Sequence, residues 1–330
     1  MSKDEPQRMG PHDIGGLADE AVDTSDYGMT YWEKHANALM MVVAGKGMAT
    51  TDERRRYIEG LGDRYYQMSY FERHSEALAN ALCERGWVSD QDLKSRAEII
   101  KMRFDESPKL SLPDLPEGGD HEHEHEHEHE HEHFKEDETG EGFYSYHLVN
   151  LAVLELLQEK SLVSSEDVTE MIEGFESDFP NRGAKVVVRA WNDPDFRSRL
   201  FTDARPAIEE MDIDLGRQAR IIALENSTKV HNVVVCTLCS CYPRFLMGQP
   251  PTWYKSRSYR SRVVHEPRAV LKEFGTHIPD DVTIRVHDSN ADMRYIVIPM
   301  RPDGIENWSD ENLEAIVTRD NLVGVTVPRP

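Results

Sequence analysis

Histidine and glutamate alternate without a break from His121 to His133, seven of one and six of the other. Both residue types are polar, so neither a helical nor a strand period gives this stretch a face to bury. It separates whatever packs before it from whatever packs after it. The residues ahead of it reinforce the break: Pro108, Pro113, Pro116 and Gly118-Gly119 interrupt regular structure. Residues 106–142 therefore read as a solvated linker. A chain of 330 residues is long enough to hold a compact unit on each side of it. The expected division is 1–105, 106–142 and 143–330.

Residues 29–104 read as helical. The apolar spacing predicts a helix over 31–43, a second capped by Thr51-Asp52-Glu53 with Tyr57, Ile58 and Leu61 on one face, a third from about Tyr70 to Glu84, and a fourth opened by Ser89-Asp90-Gln91-Asp92. Beyond the linker, helices are expected over 143–159, 165–177 and 181–192. The period then shortens toward two. Strands are predicted at 220–224, 230–235, 283–286, 295–298 and 322–327, with helices at 270–274 and 310–317. The stretch Gly86 to Leu93 echoes Ser161 to Val168; two capped helix-turn-helix corners suffice to explain it. The fold class expected is α+β, with a helical N-terminal unit and a layered α/β C-terminal unit.

The formal net charge of -23 opposes nonspecific binding to DNA or RNA. No apolar run approaches the roughly 18 residues of a membrane span. The opening residues 1–6 carry no apolar core and no arginine-rich amphipathic pattern. With only four cysteines in the chain, the expected compartment is reducing and cytoplasmic.

Three of those cysteines, Cys236, Cys239 and Cys241, fall within six residues, directly after Val233-Val234-Val235. The spacing is too tight for a disulfide framework. A claw of soft thiolates selects a transition metal. A structural zinc site would need a fourth ligand from afar, such as His231. A Cys-x-x-Cys redox pair would leave the third thiol without a task.

The run Val235-Cys236-Thr237-Leu238-Cys239-Ser240-Cys241-Tyr242-Pro243 resembles the metal loop of nitrile hydratase alpha subunits. Ala190 to Pro194, Gly248 to Ser256, Tyr259 to Val264, Glu266-Pro267-Arg268, Arg285 to Ser289 and Val317 to Asp320 resemble the same subunit, over roughly residues 143–328. Thr237 with Tyr242-Pro243 is similar to the cobalt version; the iron version usually carries serine at the first position. The N-terminal unit resembles the first half of the beta subunit through Gly10 to Gly16, Thr51 to Arg55 and Ser69 to Arg73. The order is thus beta-like, then alpha-like, in one chain. The small barrel that ends the beta subunit has no counterpart here, and with it a second arginine of the site is expected to come from another polypeptide or to be missing.

The resemblance implies a cobalt-dependent lyase that hydrates nitriles to amides. It implies Cys236 as axial thiolate, Cys239 and Cys241 as planar ligands, and the backbone nitrogens of Ser240 and Cys241 completing the set. That arrangement leaves one position open, which makes trivalent cobalt a Lewis acid. It further implies oxidation of Cys239 to sulfinate and Cys241 to sulfenate. Anionic sulfur oxygens need donors, and the family pattern points to Arg55, with Tyr70 as a nearby hydroxyl. Taken alone, Arg54-Arg55-Arg56 is a solvated helix face. Ser240 would orient water or substrate. Trp253 is expected in an aromatic core. A homodimer of the fused chain is implied, as is an activator or metallochaperone. The His-Glu tract is read as a spacer, with metal delivery as the rival reading. Two other functions fit the same residues: a thiocyanate hydrolase-like cobalt enzyme, and an inactive metal-binding or assembly protein.

Overall fold

A computed structural model describes residues 8, 10–106, 141–177, 179–216, 220–238, 241–290 and 292–330. The His-Glu tract and most of the 106–142 linker lie outside them.

The N-terminal unit is built as its spacing dictates, from α1 (Tyr31–Gly45), α2 (Thr51–Glu59), α3 (Tyr70–Glu84) and α4 (Asp90–Glu106). The cap of α2 lies one residue earlier than predicted. Thr50 accepts from the Glu53 amide at 3.2 Å, and the Glu53 carboxylate accepts from the Thr50 amide at 2.7 Å. This reciprocal box needs a hydroxyl and a carboxylate three residues apart, and Thr50 and Glu53 supply that spacing.

After the linker come α5 (Glu141–Glu159) and α6 (Ser165–Ser177). Their apolar faces close on the N-terminal helices. Leu148, Ala152, Val153, Leu157, Val163 and Val168 share one core with Leu39, Val43, Leu78 and Leu82. The helical arm of the second unit thus completes the core of the first. A polar pair is buried in it without penalty, because Asn150 donates to Ser75 at 2.6 Å and Ser75 donates to the Phe71 carbonyl at 2.7 Å. The echo between 86–93 and 161–168 is a repeated corner. Gly86 and Ser161 both turn with positive φ, and Ser89 and Ser164 each cap the following helix at 3.0 Å.

The rest is mixed helix and strand around a second core. Helices α7 (Phe179–Asn192), α8 (Pro194–Thr202) and α9 (Ala204–Glu209) lead into β1 (Arg220–Glu225) and β2 (Val230–Val235). Next come the short helices α10 (Arg244–Met247) and α11 (Thr252–Lys255), then α12 (Arg257–His265) and α13 (Pro267–Glu273). Strands β3 (Thr283–Asp288) and β4 (Met293–Ile298) follow, then α14 (Asp310–Ala315) and α15 (Arg319–Val323). β1 pairs in parallel with β4, and β2 in parallel with β3. Parallel partners need long crossovers, and the crossover from β2 to β3 carries the cysteine loop and α10–α13. Trp253 lies in the core as expected, edge-on to Tyr259 at 4.9 Å and Phe274 at 4.7 Å.

One predicted strand is corrected. Residues 322–327 do not form a strand: α15 runs through Leu322 and Val323 and ends at Gly324 with φ 89°. Asn321 caps its start, its side chain accepting from the Thr318 amide at 2.8 Å. The solid apolar run faces the core from a helix end and a loop.

Residues 10–30 run as a strap along the second unit. The Gly16 amide donates to the Ser261 carbonyl at 2.8 Å, the Val22 amide to Glu273 at 2.9 Å, and Arg319 pairs with Asp26 at 2.6 Å. Among the described residues no helix is long and apolar enough to cross a membrane.

Candidate metal centre

The cysteine loop starts where β2 stops, at the carboxyl end of a parallel pair, where ligands of α/β sheets gather. Val233, Val234 and Val235 anchor the strand in the core. Cys236 is 0% exposed and Cys241 is 5% exposed, and neither is in a disulfide. Cys239 and Ser240 lie outside the described residues. Among the described ones no three His, Cys, Asp or Glu side chains converge.

The neighbouring strand end braces the loop. Asp288 terminates β3, and its carboxylate accepts from the Thr237 amide at 3.0 Å and from the Thr237 hydroxyl. The Ser289 amide donates to the Val235 carbonyl at 2.7 Å. The strap closes over the same spot: a Cβ on Gly15 would sit 3.2 Å from the Thr237 methyl.

Arg260 of α12 is 2% exposed and holds three groups at once. Its guanidinium donates to the carbonyl of Cys236 at 3.1 Å and of Thr237 at 2.7 Å, and reaches the Tyr65 hydroxyl at 3.3 and 3.4 Å. Tyr65 belongs to the 3-10 turn Gly62–Tyr66 of the first unit, where Arg73 stacks on its ring at 4.2 Å. On the far side of the loop, Tyr254 donates to the Cys241 carbonyl at 3.0 Å. Burial pushes the Tyr254 phenol well up, and the adjacent Cys236 and Cys241 add to the rise, so it stays a donor.

The carbonyls of both described claw cysteines are therefore spoken for by the protein. What remains to define the site is sulfur in a buried, water-poor loop, and that donor chemistry fits a soft or borderline transition ion. Replacing Arg260 by alanine leaves the carbonyls of Cys236 and Thr237 without their donor. A loss of about 3 kcal/mol is expected in urea unfolding. Arg260→Lys, which cannot span three acceptors, should recover less than half of it.

The other site residues fall as follows. Arg55 lies on α2, 14% exposed, 3.6 Å from Asp52. Its neighbour Arg56 points outward to Glu84. Tyr70 opens α3, and its hydroxyl takes a long contact of 3.5 Å from Arg244 on α10. Arg260, Tyr65, Asp288 and Arg244 had no predicted role. Their signal in the sequence was slight: Arg260 and Arg262 are both buried on one short helix that otherwise carries Tyr259 and Val263.

A cysteine loop at a strand end, braced by Asp288, Arg260 and Tyr254 of its own unit and covered by the N-terminal strap at Gly15, sits in a protein of mixed helix and strand. Residues 145–326 match the family described as nitrile hydratase, alpha chain, and residues 9–129 match nitrile hydratase beta subunit, N-terminal. The chain belongs to the nitrile hydratase alpha family and carries the beta-type N-terminal segment ahead of it. Over 174 residues it is 49% identical to the low-molecular weight cobalt-containing nitrile hydratase subunit alpha of Rhodococcus rhodochrous, covering 52% of this chain and 84% of that one. It is 40% identical over 196 residues to the thiocyanate hydrolase subunit gamma of Thiobacillus thioparus, covering 56% and 81%. A double mutant of the Fe-type nitrile hydratase from Comamonas testosteroni Ni1 superposes with a TM-score of 0.52 at 39% identity, over 54% of this chain and 87% of that one.

Proposed function

We propose that this chain is a cobalt-type nitrile hydratase in which the beta-like helical unit and the alpha-like unit are fused. The observation that carries the reading is the buried loop after β2, with Cys236 and Cys241 held by their carbonyls and the units joined across it by Arg260 and Tyr65. The units are 1–105 and 143–330, the second being a layered α/β sandwich with a helical arm.

Cys236, Cys239 and Cys241 would hold the ion, with the backbone nitrogens of Ser240 and Cys241. Bound there, trivalent cobalt supplies a Lewis acid that activates a nitrile toward water. The chain's own residues do the rest. Arg260 keeps the loop from relaxing and shuts water out of the strand end. Arg55 neutralises the oxidised sulfurs of Cys239 and Cys241. Ser240 would orient water or the substrate. Tyr70 would set its hydroxyl near the same sulfur oxygens. The thiocyanate hydrolase relative, at 40% identity, supports a second reading in which the same loop takes thiocyanate.

The decisive experiment loads the purified full chain, which the family pattern makes a dimer of the fusion, with cobalt, with and without a barrel-bearing beta chain. Amide formed from small nitriles is measured against carbonyl sulfide released from thiocyanate. Amide alone is the expected result. Carbonyl sulfide alone would replace this reading by the second, and neither product in any combination would end both. Mass analysis of the 236–241 peptide should show one sulfinate and one sulfenate.

A further inference from the structure

Lys255 ends α11 against the other unit. Its ammonium lies over two rings of α3, 5.4 Å from the centre of Tyr70 and 4.9 Å from that of Phe71. Among the described residues no hydrogen bond or ion pair holds it. An ammonium that exchanges water for aromatic faces keeps part of its attraction but little of its hydration. Removal from water holds the Lys255 pKa down at about 8; Glu33 opposes that shift and Arg244 reinforces it.

A second cation meets the same ring. Arg244, three residues beyond Cys241, directs one nitrogen at the Tyr70 oxygen at 3.5 Å, while its other nitrogen donates to Asn37. Asn37 is 1% exposed and in turn donates to Gln249 at 3.1 Å, so the guanidinium cannot swing away freely. His74 lies against the ring on its own helix, centroids 4.3 Å apart. A cation on the ring face and a donor at the oxygen hold the ring at two points. A phenol oxygen that accepts one bond still has its own hydrogen to give.

We propose that Lys255 is a positioning residue for Tyr70: together with Arg244 it fixes the phenol ring, and so the direction of its hydroxyl, across the unit interface. The proposal rests on the nitrile-hydrating reading only in its kinetic arm. The groups that face the ammonium are Glu33 on α1, Asp26 on the strap, Arg244 on α10 and Tyr70 on α3. The sign of the pH effect follows. Below about pH 8 the ammonium is charged and Tyr70 is held; above it the charge is lost and the hold weakens.

The test uses the full cobalt-loaded chain labelled with 13Cζ-tyrosine, Tyr70 being assigned with Tyr70→Phe. The wild-type Tyr70 signal should move with an inflection near pH 8 that vanishes in Lys255→Arg, whose charge does not titrate in this range. A Tyr70 signal that is flat through pH 8 in the wild type overturns the proposal, and this measurement needs no variant to fold. In turnover, Lys255→Met should lower kcat about tenfold with KM and cobalt content little changed. Lys255→Arg should keep its activity above pH 8, where the wild type declines. Equal alkaline decline in the two would also overturn it. If the Tyr70 inflection is present and no nitrile is hydrated, the positioning role stands and the functional reading falls.

Discussion

Cobalt bound by the purified Cys236→Ser chain is expected to fall at least about tenfold below wild type, with nitrile hydration down more than about a hundredfold. Losing a residue that merely supports a ligand already costs ten to a hundredfold, and the proposed function makes Cys236 a ligand itself. It is fully buried at the end of a strand, with its carbonyl fixed by Arg260 at 3.1 Å. Serine fits the same volume and keeps the same backbone bonds, so the fold has no reason to fail. It replaces a soft donor by a hard one. Far-ultraviolet dichroism should be unchanged while metal analysis changes. Cys83→Ser is the matched control. Cys83 is half-buried on α3, and burial, with Asp90 nearby, pushes its thiol up, away from the thiolate a metal needs. It should bind as much cobalt as the wild type. A Cys236→Ser chain that retains metal and turnover would remove the claw from the mechanism.

The contrast between those two cysteines was legible in the sequence, because density alone distinguishes them. So were the helices, because their start signals are local: Ser89 with Asp92 opens α4 as predicted, and Thr50 with Glu53 opens α2 one residue before the predicted cap. The strands were readable in position but not in partner, since parallel pairing joins segments about as far apart as Val230 and Thr283. The bracing of the loop was not readable at all. Arg260 and Tyr65 are separated by 195 residues, and Arg244 and Tyr70 by 174. Nothing in the local pattern of either partner announces such a contact. An arginine on a short helix is by default a solvated side chain, and only the three acceptors that converge on Arg260 explain why it is buried. The failure at 322–327 has a different origin. Leu322, Val323 and Val325 are solidly apolar, and a short apolar run cannot by its period distinguish a strand from a helix end packed on a core.

Gly324→Ala should cost at least about 4 kcal/mol in urea unfolding, the largest stability loss expected from a methyl group added at any of the described glycines. Two penalties add. Gly324 closes α15 with φ 89°, a conformation that strains any residue with a Cβ by about 1–2 kcal/mol. In addition, the new Cβ would lie 2.0 Å from the carbonyl oxygen of Asn232, which is backbone and cannot step aside as a flexible side chain would. Relief requires α15 and β2 to separate. That breaks the bond from the His231 Nε2 to the Gly324 carbonyl at 2.7 Å and disturbs Asn232, whose amide donates to Asn226 at 2.7 Å. Four residues beyond Asn232 stands Cys236, so the loop loses its footing and cobalt loading should fall with stability. Gly304→Ala isolates the first penalty. Gly304 has φ 84° but no atom within 4 Å of the added methyl, and it should lose only about 1–2 kcal/mol with cobalt loading intact. If the two variants unfold at the same urea concentration, the close approach of α15 to β2 is wrong, and the rigid strand that aims the cysteines goes with it.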